Sequence, residues 1–304
     1  MNKKFKSGFV SLVGRPNAGK STLLNALVGQ KVAIVADKPQ TTRTSIQGVL
    51  TTPESQIIFV DTPGIHKADS QLNKRLMDTV RASLEERDLL LFLVDATREI
   101  ALEDRRAVDV VMRTETPVVL VLNKVDLLPD KAKVLPLIEQ YKELHQFLDY
   151  VPISATRKIG LDDLRKIILE HLPEGPAYFP EDYVTDQPER FLAAELVREK
   201  LLLVTRQEVP HSVAVMVDKW EETPNLTRIF ATIRVERPGQ KAIVIGKKGA
   251  VLAKIGTMAR LEMEKLFGVR IYLDLHVRVQ PGWREEAAFL NTLDWRTMTV
   301  KDDI

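Results

Sequence analysis

Short apolar runs alternate with amphipathic stretches through the first half of the chain, up to about residue 171. The runs have the length of β-strands and cover residues 9–13, 56–60, 89–94, 118–122 and 151–153. Between them, residues 102–112 and 137–147 repeat apolar positions at helical spacing. Hydrophobic strands separated by helices indicate a mostly parallel sheet with helices on both faces. This half is therefore predicted to be an α/β domain.

The pattern changes after residue 171. Residues 172–180 contain three prolines and a glycine, which neither a helix nor a central strand tolerates, so we predict a linker at 173–185. The pattern then predicts a helix at 189–205, strands at 212–218 and 227–236, a helix after Gly249 and a last strand at 270–279. The predicted domains are an α/β domain at 1–172 and an α+β domain at 186–304.

In the second domain, alternation gives each strand one core face. The residues expected on the core face are Ile229, Ala231, Ile233 and Val235 in the strand at 227–236, and Ile271, Leu273, Leu275, Val277 and Val279 in the strand at 270–279.

Composition and charge narrow the function classes. The chain has no cysteine, which excludes disulfides, zinc–thiolate sites and thiol nucleophiles. The longest apolar run, at 89–94, falls well short of the roughly 20 residues that cross a bilayer. A cleaved signal peptide is not indicated, so a cytoplasmic location is predicted. The net charge of the chain is +2, but residues 228–278 hold 11 basic and 4 acidic residues. This local excess of positive charge favours binding of a polyanion by that segment.

Residues 14–21, Gly-Arg-Pro-Asn-Ala-Gly-Lys-Ser, match the spacing of a phosphate-binding loop. An apolar strand precedes them and a helix-prone segment follows, as the mechanism requires. Lys20 is expected to reach the β- and γ-phosphates of a nucleoside triphosphate, and the Ser21 hydroxyl to bind Mg²⁺. The alternative is a chance glycine-rich turn.

Two further motifs follow predicted strands. Asp61, in Asp-Thr-Pro-Gly, is expected to hold Mg²⁺ through water, with the Gly64 N–H sensing the γ-phosphate; an ordinary turn is the alternative. In Asn-Lys-Val-Asp, the Asp126 carboxylate can accept from guanine N1–H and the 2-amino group, which adenine lacks. Lys124 would lie over the base, and Asn123 would tie this loop to the phosphate loop.

Ser154 and Ala155, after the last strand of this half, supply small residues and N–H groups suited to the guanine oxygen. This pair alone is nearly uninformative. Taken in order with the loop at 14–21, Asp61 and the tetrad at 123–126, it resembles the motif set of translation-factor-type GTPases. The resemblance implies GTP as the nucleotide.

The same resemblance identifies residues 38–43 as switch I, with Thr42 as the Mg²⁺ ligand in the GTP state and Thr41 as its rival. Ras-like proteins place a water-orienting glutamine where this chain has Ile65, so slow hydrolysis is expected. Similar GTPases with asparagine in the loop hold a monovalent cation such as K⁺, which makes Asn17 a candidate contact. The alternative is that Asn17 only caps the loop.

Gly246-Lys247-Lys248-Gly249 stands between an apolar segment and an amphipathic helix. This loop resembles the one with which KH domains clamp about four nucleotides of single-stranded nucleic acid. The paired lysines and the basic surroundings favour that interpretation over a simple helix-start turn. The order of elements suits the type II, prokaryotic KH arrangement.

Trp283 and Arg284 follow a Pro-Gly turn and are candidates for stacking a base, with packing as the alternative for the tryptophan.

The whole chain resembles the Era family of bacterial GTPases, through GRPNAGKS, KPQTTR, DTPGIHK, NKVD and SA, and then residues 186–191, 209–212 and 245–249. The resemblance implies a KH domain that binds the 3′ end of 16S rRNA and aids maturation of the small (30S) ribosomal subunit. Some members associate peripherally with the inner membrane. A monomer is expected. The alternative is a GTP-dependent signalling or membrane scaffold whose C-terminal domain binds protein or lipid.

These inferences define four sets of candidate residues. The predicted GTP contacts are Gly14, Arg15, Pro16, Asn17, Ala18, Gly19, Lys20, Ser21, Thr22, Asp61, Gly64, Asn123, Lys124, Asp126, Ser154 and Ala155. Within and beside that set, the predicted catalytic residues are Lys20, Asn17, Thr42 and Gly64, and the predicted Mg²⁺ ligands are Ser21, Thr42 and Asp61. The predicted RNA contacts are Gly246, Lys247, Lys248, Gly249, Trp283 and Arg284.

Overall fold

A computed structural model describes residues 4–38, 40–65, 69–205 and 213–295, which form two compact units. The first unit takes the described parts of residues 1–33, 42–68 and 73–186. The second takes those of 34–41, 69–72 and 187–304. Two short segments, Ile34–Thr41 and Asp69–Leu72, therefore belong to the second unit although the neighbouring chain belongs to the first.

The first unit contains a six-stranded sheet. Its strands are β1 (Lys6–Gly14), β2 (Ile46–Thr52), β3 (Ser55–Asp61), β4 (Leu89–Asp95), β5 (Val118–Asn123) and β6 (Asp149–Pro152). Their order across the sheet is β2-β3-β1-β4-β5-β6. Strand β2 runs antiparallel to β3, and the other neighbours are parallel. The predicted mostly parallel sheet is confirmed.

Helices cover both faces of this sheet. They are α1 (Lys20–Val28), α2 (Gln71–Ala82), α3 (Leu102–Val111), α4 (Val134–Leu144) and α5 (Leu161–His171). Successive residues of β4 enter opposite cores: Leu91 packs in one hydrophobic cluster with Leu12, and Phe92 packs in the other with Val13. Burial on both faces explains why the central strands are almost continuously apolar.

The second unit combines helices with a three-stranded sheet. Its elements are α6 (Glu189–Val204), β7 (Val213–Thr223), β8 (Leu226–Val235), α7 (Pro238–Ile245), α8 (Ala250–Phe267), β9 (Ile271–Val279) and α9 (Ala287–Thr292). Strand β8 lies in the middle, antiparallel to β7 and parallel to β9. The predicted core face of β8 is confirmed, since Ile229, Ala231, Ile233 and Val235 have no exposed surface.

Strand β2 and helix α7 are absent from the sequence-based prediction. Strand β2 carries Gln, Gly and Thr among its apolar residues and lies at the sheet edge, so its pattern is mixed. Helix α7 precedes the glycine loop, where the sequence indicated only an apolar segment. Pro238 opens this helix, and Oε1 of Gln240 accepts the N–H groups of Glu236 and Arg237 at 3.0 Å each. The helix has only eight residues, too few to show a clear period.

The described residues 173–186, which we call the strap, pack within the first unit. Ser7 Oγ donates to the Pro176 carbonyl at 2.6 Å, and the Val49 N–H donates to the Val184 carbonyl at 2.8 Å. The rings of Phe9 and Tyr178 meet edge to face with centroids 5.0 Å apart. The proline-rich composition that predicts a linker therefore accompanies an ordered segment.

Among the described residues, no helix is both long and apolar enough to cross a bilayer.

Candidate functional site

The predicted phosphate loop, residues 14–21, connects β1 to α1, which begins at Lys20. Gly19 has φ +98°, and a Cβ there would lie 2.2 Å from Nδ2 of Asn123. Only glycine therefore lets the loop approach Asn123 so closely. Pro16, in the loop, and Thr22, in the first turn of α1, are also predicted contacts, and both are half-buried. The start of α1 presents backbone N–H groups, which favour an anion.

Lys20 carries a charge into the interior of the loop. Its side chain is buried, and Nζ donates to the carbonyl oxygens of Gly14 and Arg15 at 3.2 Å each. Burial lowers the pKa of Lys20 to about 8, although the charge of Asp61 acts in the opposite direction. Both hydrogen-bond acceptors are neutral, so an anion such as a phosphate would stabilise this ammonium group.

The three predicted Mg²⁺ ligands come together in the first unit. Oδ2 of Asp61 accepts from Ser21 Oγ at 2.6 Å and from Thr42 Oγ1 at 3.0 Å, and the two hydroxyl oxygens are 2.9 Å apart. Asp61 has no exposed surface, and its Oδ1 has no hydrogen-bond partner among the residues that the structure describes. Burial also raises the pKa of Asp61.

This donor set fits a magnesium ion. One carboxylate and two hydroxyls are oxygen ligands, which Mg²⁺ prefers, and few protein ligands are expected where phosphates and waters complete the shell. A buried carboxylate oxygen without a partner is costly unless a cation or water meets it. Within the described residues there is no cluster of three or more His, Cys, Asp or Glu side chains suited to a different metal.

The geometry favours Thr42 over its rival Thr41. The Thr41 hydroxyl donates to the carbonyl of Lys38 at 2.6 Å and to that of Ala36 at 3.1 Å, so it closes its own loop. The Thr42 side chain is buried against Ser21 and Asp61 instead.

Gly64 and Ile65 follow Asp61 and lie against the phosphate loop. A Cβ on Gly64 would lie 2.7 Å from the Pro16 nitrogen, and the Ile65 N–H donates to the Gly14 carbonyl at 3.0 Å. The Ile65 side chain is buried in the hydrophobic cluster that contains Val13. The residue at the place of the Ras-like glutamine is therefore a core residue, which explains its apolar character.

Asn123 connects three loops, including the predicted tie to the phosphate loop. Its Nδ2 donates to the Ala18 carbonyl at 2.9 Å, while its Oδ1 accepts the N–H groups of Lys124 at 2.8 Å and Ala155 at 3.0 Å. Ser154 is buried, and its Oγ accepts the Arg157 N–H. The Ala155 N–H thus holds Asn123, and its contact with a guanine oxygen stays a prediction.

Lys124 and Asp126 occupy the rest of this motif. Lys124 has φ +70°, and its Nζ pairs with Oδ2 of Asp95 at 2.9 Å. Burial acts to raise the pKa of Asp95, but hydrogen bonds from Thr97 and Lys124 hold it below its ordinary value. Asp126 is half-buried in a single 3₁₀ turn. Asp95 was missed from sequence, although its place at the carboxyl end of β4 was a signal.

Arg15 and Asn17 occupy different surroundings within the phosphate loop. Nη1 of Arg15 pairs with Oδ2 of Asp104 at 2.6 Å, and this buried carboxylate also accepts the Ala101 N–H at 3.0 Å where α3 begins. Asn17 has φ +63° and is exposed. The sequence carries no signal for the Arg15–Asp104 pair, because acidic residues are common in the first turn of any helix.

The predicted RNA loop lies between α7 and α8. Gly246 has φ +71°, and a Cβ there would lie 2.4 Å from Cγ2 of Val251, so glycine is required. A Cβ on Gly249 would meet nothing within 4 Å, which leaves open space above the start of α8. Lys247 and Lys248 are both exposed. The loop can therefore admit a phosphate backbone beside two cations.

The structure contradicts a base-stacking role for Trp283. The side chain has no exposed surface and packs edge to face on Phe289, with ring centroids 5.6 Å apart. Arg284 pairs with both carboxylate oxygens of Glu236, at 3.0 and 2.8 Å. A buried ring offers no face to a base, and a two-point ion pair engages the guanidinium. Packing, the alternative considered for the tryptophan, is correct.

Comparisons with known proteins find matches for both parts of the chain. A family model described as "50S ribosome-binding GTPase" matches residues 9–124, and one described as "KH domain" matches residues 208–284. GTPase Era from Geobacter metallireducens is 50% identical over 293 residues, which covers 96% of this chain and 98% of the relative. GTPase Era from Rippkaea orientalis is 50% identical over 297 residues, which covers 97% and 94%.

Two solved structures match the whole fold. A crystal structure of Era in complex with MgGDPNP and nucleotides 1506–1542 of 16S ribosomal RNA gives a TM-score of 0.93 at 43% identity, over 96% of this chain and 99% of that one. An Aquifex aeolicus Era variant bound to GDP·AlF₄⁻ gives 0.92 at 42% identity, with the same coverage of each chain.

The first unit is a P-loop GTPase domain, because its mostly parallel sheet carries a phosphate loop, a Ser–Thr–Asp oxygen cluster and an Asn-Lys-x-Asp loop. A KH fold follows it as a nucleic-acid-binding module. This class of enzyme acts on GTP, and the oxygen cluster of Ser21, Thr42 and Asp61 fits Mg²⁺. The chain belongs to the Era family of GTPases, since relatives that share half of its residues match over nearly its full length.

Proposed function

We propose that the chain is a ribosome assembly factor that hydrolyses GTP, binds the 3′ end of 16S rRNA through its KH domain and aids maturation of the 30S subunit. The observation that carries the proposal is the open glycine loop before α8, with Lys247 and Lys248 exposed. The proposal is also supported by the crystal structure of Era in complex with a 16S rRNA fragment, because the match to that structure covers 96% of this chain.

The proposed division of labour follows the predicted domains: GTPase at 1–172, linker at 173–185 and KH domain at 186–304. In the GTPase domain, Lys20 neutralises phosphate charge, and Ser21, Thr42 and Asp61 hold Mg²⁺. Bound Mg²⁺ supplies charge neutralisation for phosphoryl transfer. The Gly64 N–H meets the γ-phosphate. Asp126 selects guanine through two acceptor oxygens, and the buried Asn123 amide keeps its loop against the phosphate loop.

Hydrolysis is proposed to be slow in the chain alone. Ile65 lies in the core and has no group that could orient water. We propose that Asn17, exposed at the loop, contacts a K⁺ ion that supplies the missing positive charge. GTPase rates in KCl are then expected to exceed those in NaCl, and an Asn17→Ala variant should lose the difference. Equal rates in both salts would leave Asn17 with the capping role alone.

RNA binding is proposed to combine shape with charge. Glycines at 246 and 249 let the sugar-phosphate backbone approach the start of α8, where N–H groups favour phosphate. Residues 228–278 add a local net charge of +7. GTP promotes this RNA engagement and hydrolysis permits release, which requires different RNA affinities in the two nucleotide states.

The test is an RNA-binding titration with an oligonucleotide of the 16S 3′ end. Changing Lys247 and Lys248 to Asp should abolish binding and its salt dependence, because both charges face the backbone. A matched control changes the exposed pair Lys131 and Lys133, in the first unit, to Asp and should bind as the parent does. Parent protein with no affinity for the RNA would favour instead a scaffold that binds protein or lipid.

We also propose a cytoplasmic monomer that makes peripheral contact with the inner membrane, as some family members do. Sedimentation of the purified chain tests the monomer. Flotation with vesicles of anionic phospholipid tests the membrane contact, and a chain that stays entirely with the soluble fraction would contradict it.

A further inference from the structure

The segment Ile34–Thr41, which precedes the metal-site residue Thr42, is held by the first helix of the second unit. Ile34 is buried in the core of that unit together with Val197 of α6. The Val35 N–H donates to Oε1 of Glu199 at 2.7 Å, and Glu199 itself is buried. The described residues of Ile34–Thr41 are therefore packed as part of the second unit, and Thr42 is the first residue after them that belongs to the first unit.

Arg198 of α6 holds the end of this segment. The side chain is 1% exposed, its Nη1 donates to the Gln40 carbonyl at 3.2 Å, and its Nη2 donates to the Thr41 carbonyl. Its Nε and Nη2 also pair with the carboxylate of Glu195, which fixes the plane of the guanidinium. Because this buried arginine donates to two consecutive main-chain carbonyls, it holds the backbone of Gln40 and Thr41 rather than a side chain.

The backbone at this point is strained. Gln40 has φ +63°, in the left-handed region that long side chains seldom adopt. Such a conformation persists only where the surroundings impose it. The bond from Arg198 to the Gln40 carbonyl is one of the contacts that impose it.

The next residue is Thr42, whose hydroxyl bonds to Ser21 and Asp61. One peptide link therefore separates a carbonyl fixed by Arg198 from a hydroxyl in the metal site. We propose that Arg198 is a positioning residue that sets Thr42 for Mg²⁺ and the γ-phosphate, so that recognition of the triphosphate depends on a residue of the C-terminal unit.

The same helix connects this anchor to α8. Lys200 pairs with Glu199 at 2.6 Å and also with Glu262 of α8, the helix that begins directly after Gly249. A second segment of the second unit behaves alike: the Gln71 N–H, in the stretch after Gly64, donates to Oε2 of Glu285 at 3.2 Å. Side chains of the second unit thus hold both Ile34–Thr41 and the start of α2 at Gln71.

The inference rests on the proposed role of Thr42, and the experiment separates the two. Affinities of the full-length chain for GDP and GDPNP are measured at saturating Mg²⁺ by fluorescent-nucleotide titration. Arg198→Gln is expected to lower GDPNP affinity about tenfold while GDP affinity stays within about twofold, because only the triphosphate uses Thr42. Arg198→Lys, with one ammonium in place of the fork, should give an intermediate loss.

Arg165→Gln is a matched control in the first unit. Arg165 also donates to a main-chain carbonyl, that of Leu27 at 3.2 Å, and also pairs with a carboxylate three residues earlier, Asp162. This variant should bind both nucleotides as the parent does. If Arg198→Gln fails to fold, Glu195→Gln is the second variant. It keeps the arginine but removes the carboxylate that orients the guanidinium, so it should lower GDPNP affinity by a smaller factor.

Three results overturn the inference. Unchanged affinities in Arg198→Gln, or an equal loss for GDP and GDPNP, would leave the arginine with a structural role alone. If Thr42→Ala keeps full GDPNP affinity, the proposed metal role of Thr42 fails and the positioning role fails with it. If Thr42→Ala loses GDPNP affinity and Arg198→Gln does not, the proposed function stands and only the inference fails.

Discussion

Asn123 shows how one side chain organises a nucleotide site. The amide is 3% exposed, and its two ends bond to the phosphate loop through Ala18, to its own loop through Lys124 and to the loop after β6 through Ala155. The sequence motif predicted the first of these bonds. The bond to Ala155 joins segments 32 residues apart, and only the sheet order brings them together.

We expect Asn123→Ala to weaken the loops rather than to select between nucleotides. The change leaves the part-buried N–H of Lys124 and the buried N–H of Ala155 without an acceptor, which costs about 2 kcal/mol of unfolding free energy. GDP and GDPNP affinities should fall by similar factors, unlike in Arg198→Gln. Urea unfolding of the nucleotide-free chain and nucleotide titrations measure both effects. Asn225→Ala, in the exposed turn between β7 and β8, is the control. An unfolding free energy equal to the parent's would contradict this account.

At the scale of elements, the central strands and the order of motifs were predictable because burial on both faces leaves a plain apolar signal. Strand β2 was not, because an edge strand with Gln47, Gly48 and two threonines matches neither period. Helix α7 was not, because eight residues ending in Ile-Val-Ile suit a strand equally well. Trp283 shows a third cause, since a tryptophan near a basic segment suits packing and stacking alike, and only burial separates them.

The strap illustrates an ordered segment whose stability comes from side chains elsewhere. Gln56, in β3, has no exposed surface. Its Oε1 accepts the N–H groups of Tyr178 at 2.7 Å and Phe179 at 2.9 Å, and its Nε2 donates to the Phe179 carbonyl at 2.9 Å. Backbone groups that regular structure would satisfy are satisfied here by one glutamine.

Gln56→Leu should therefore release the strap. The leucine keeps the volume but removes the acceptor for two N–H groups, so limited proteolysis should cut within residues 173–186 faster than in the parent. Mass spectrometry of the fragments locates the cut. Gln146→Leu, at an exposed position, should digest like the parent. Equal cleavage of all three proteins would mean that other contacts hold the strap.

At the scale of the whole molecule, the GTPase motifs and the RNA loop lie at opposite ends of the sequence, yet Ile34–Thr41 is grouped with the KH elements. A nucleotide that favours one state of this segment can bias the second unit only by its difference in affinity for the two states. The hydrogen bonds of Arg198 to Gln40 and Thr41 are the contacts through which this difference in nucleotide affinity would act. The coupling can therefore be measured either as a change in RNA affinity or as a change in nucleotide affinity.

Reciprocity is the expected consequence. If the 16S 3′-end oligonucleotide binds the GDPNP form more tightly than the GDP form, it must raise the relative GDPNP affinity by the same factor, about five- to 150-fold for coupled sites. Four titrations close the cycle. Arg198→Gln should bring the factor towards one, whereas changing Lys247 and Lys248 to Asp should remove RNA binding in both states and leave the nucleotide affinities as they were. A parent protein with equal RNA affinity in both states would show that nucleotide and RNA bind independently, and the proposed switch would then be wrong.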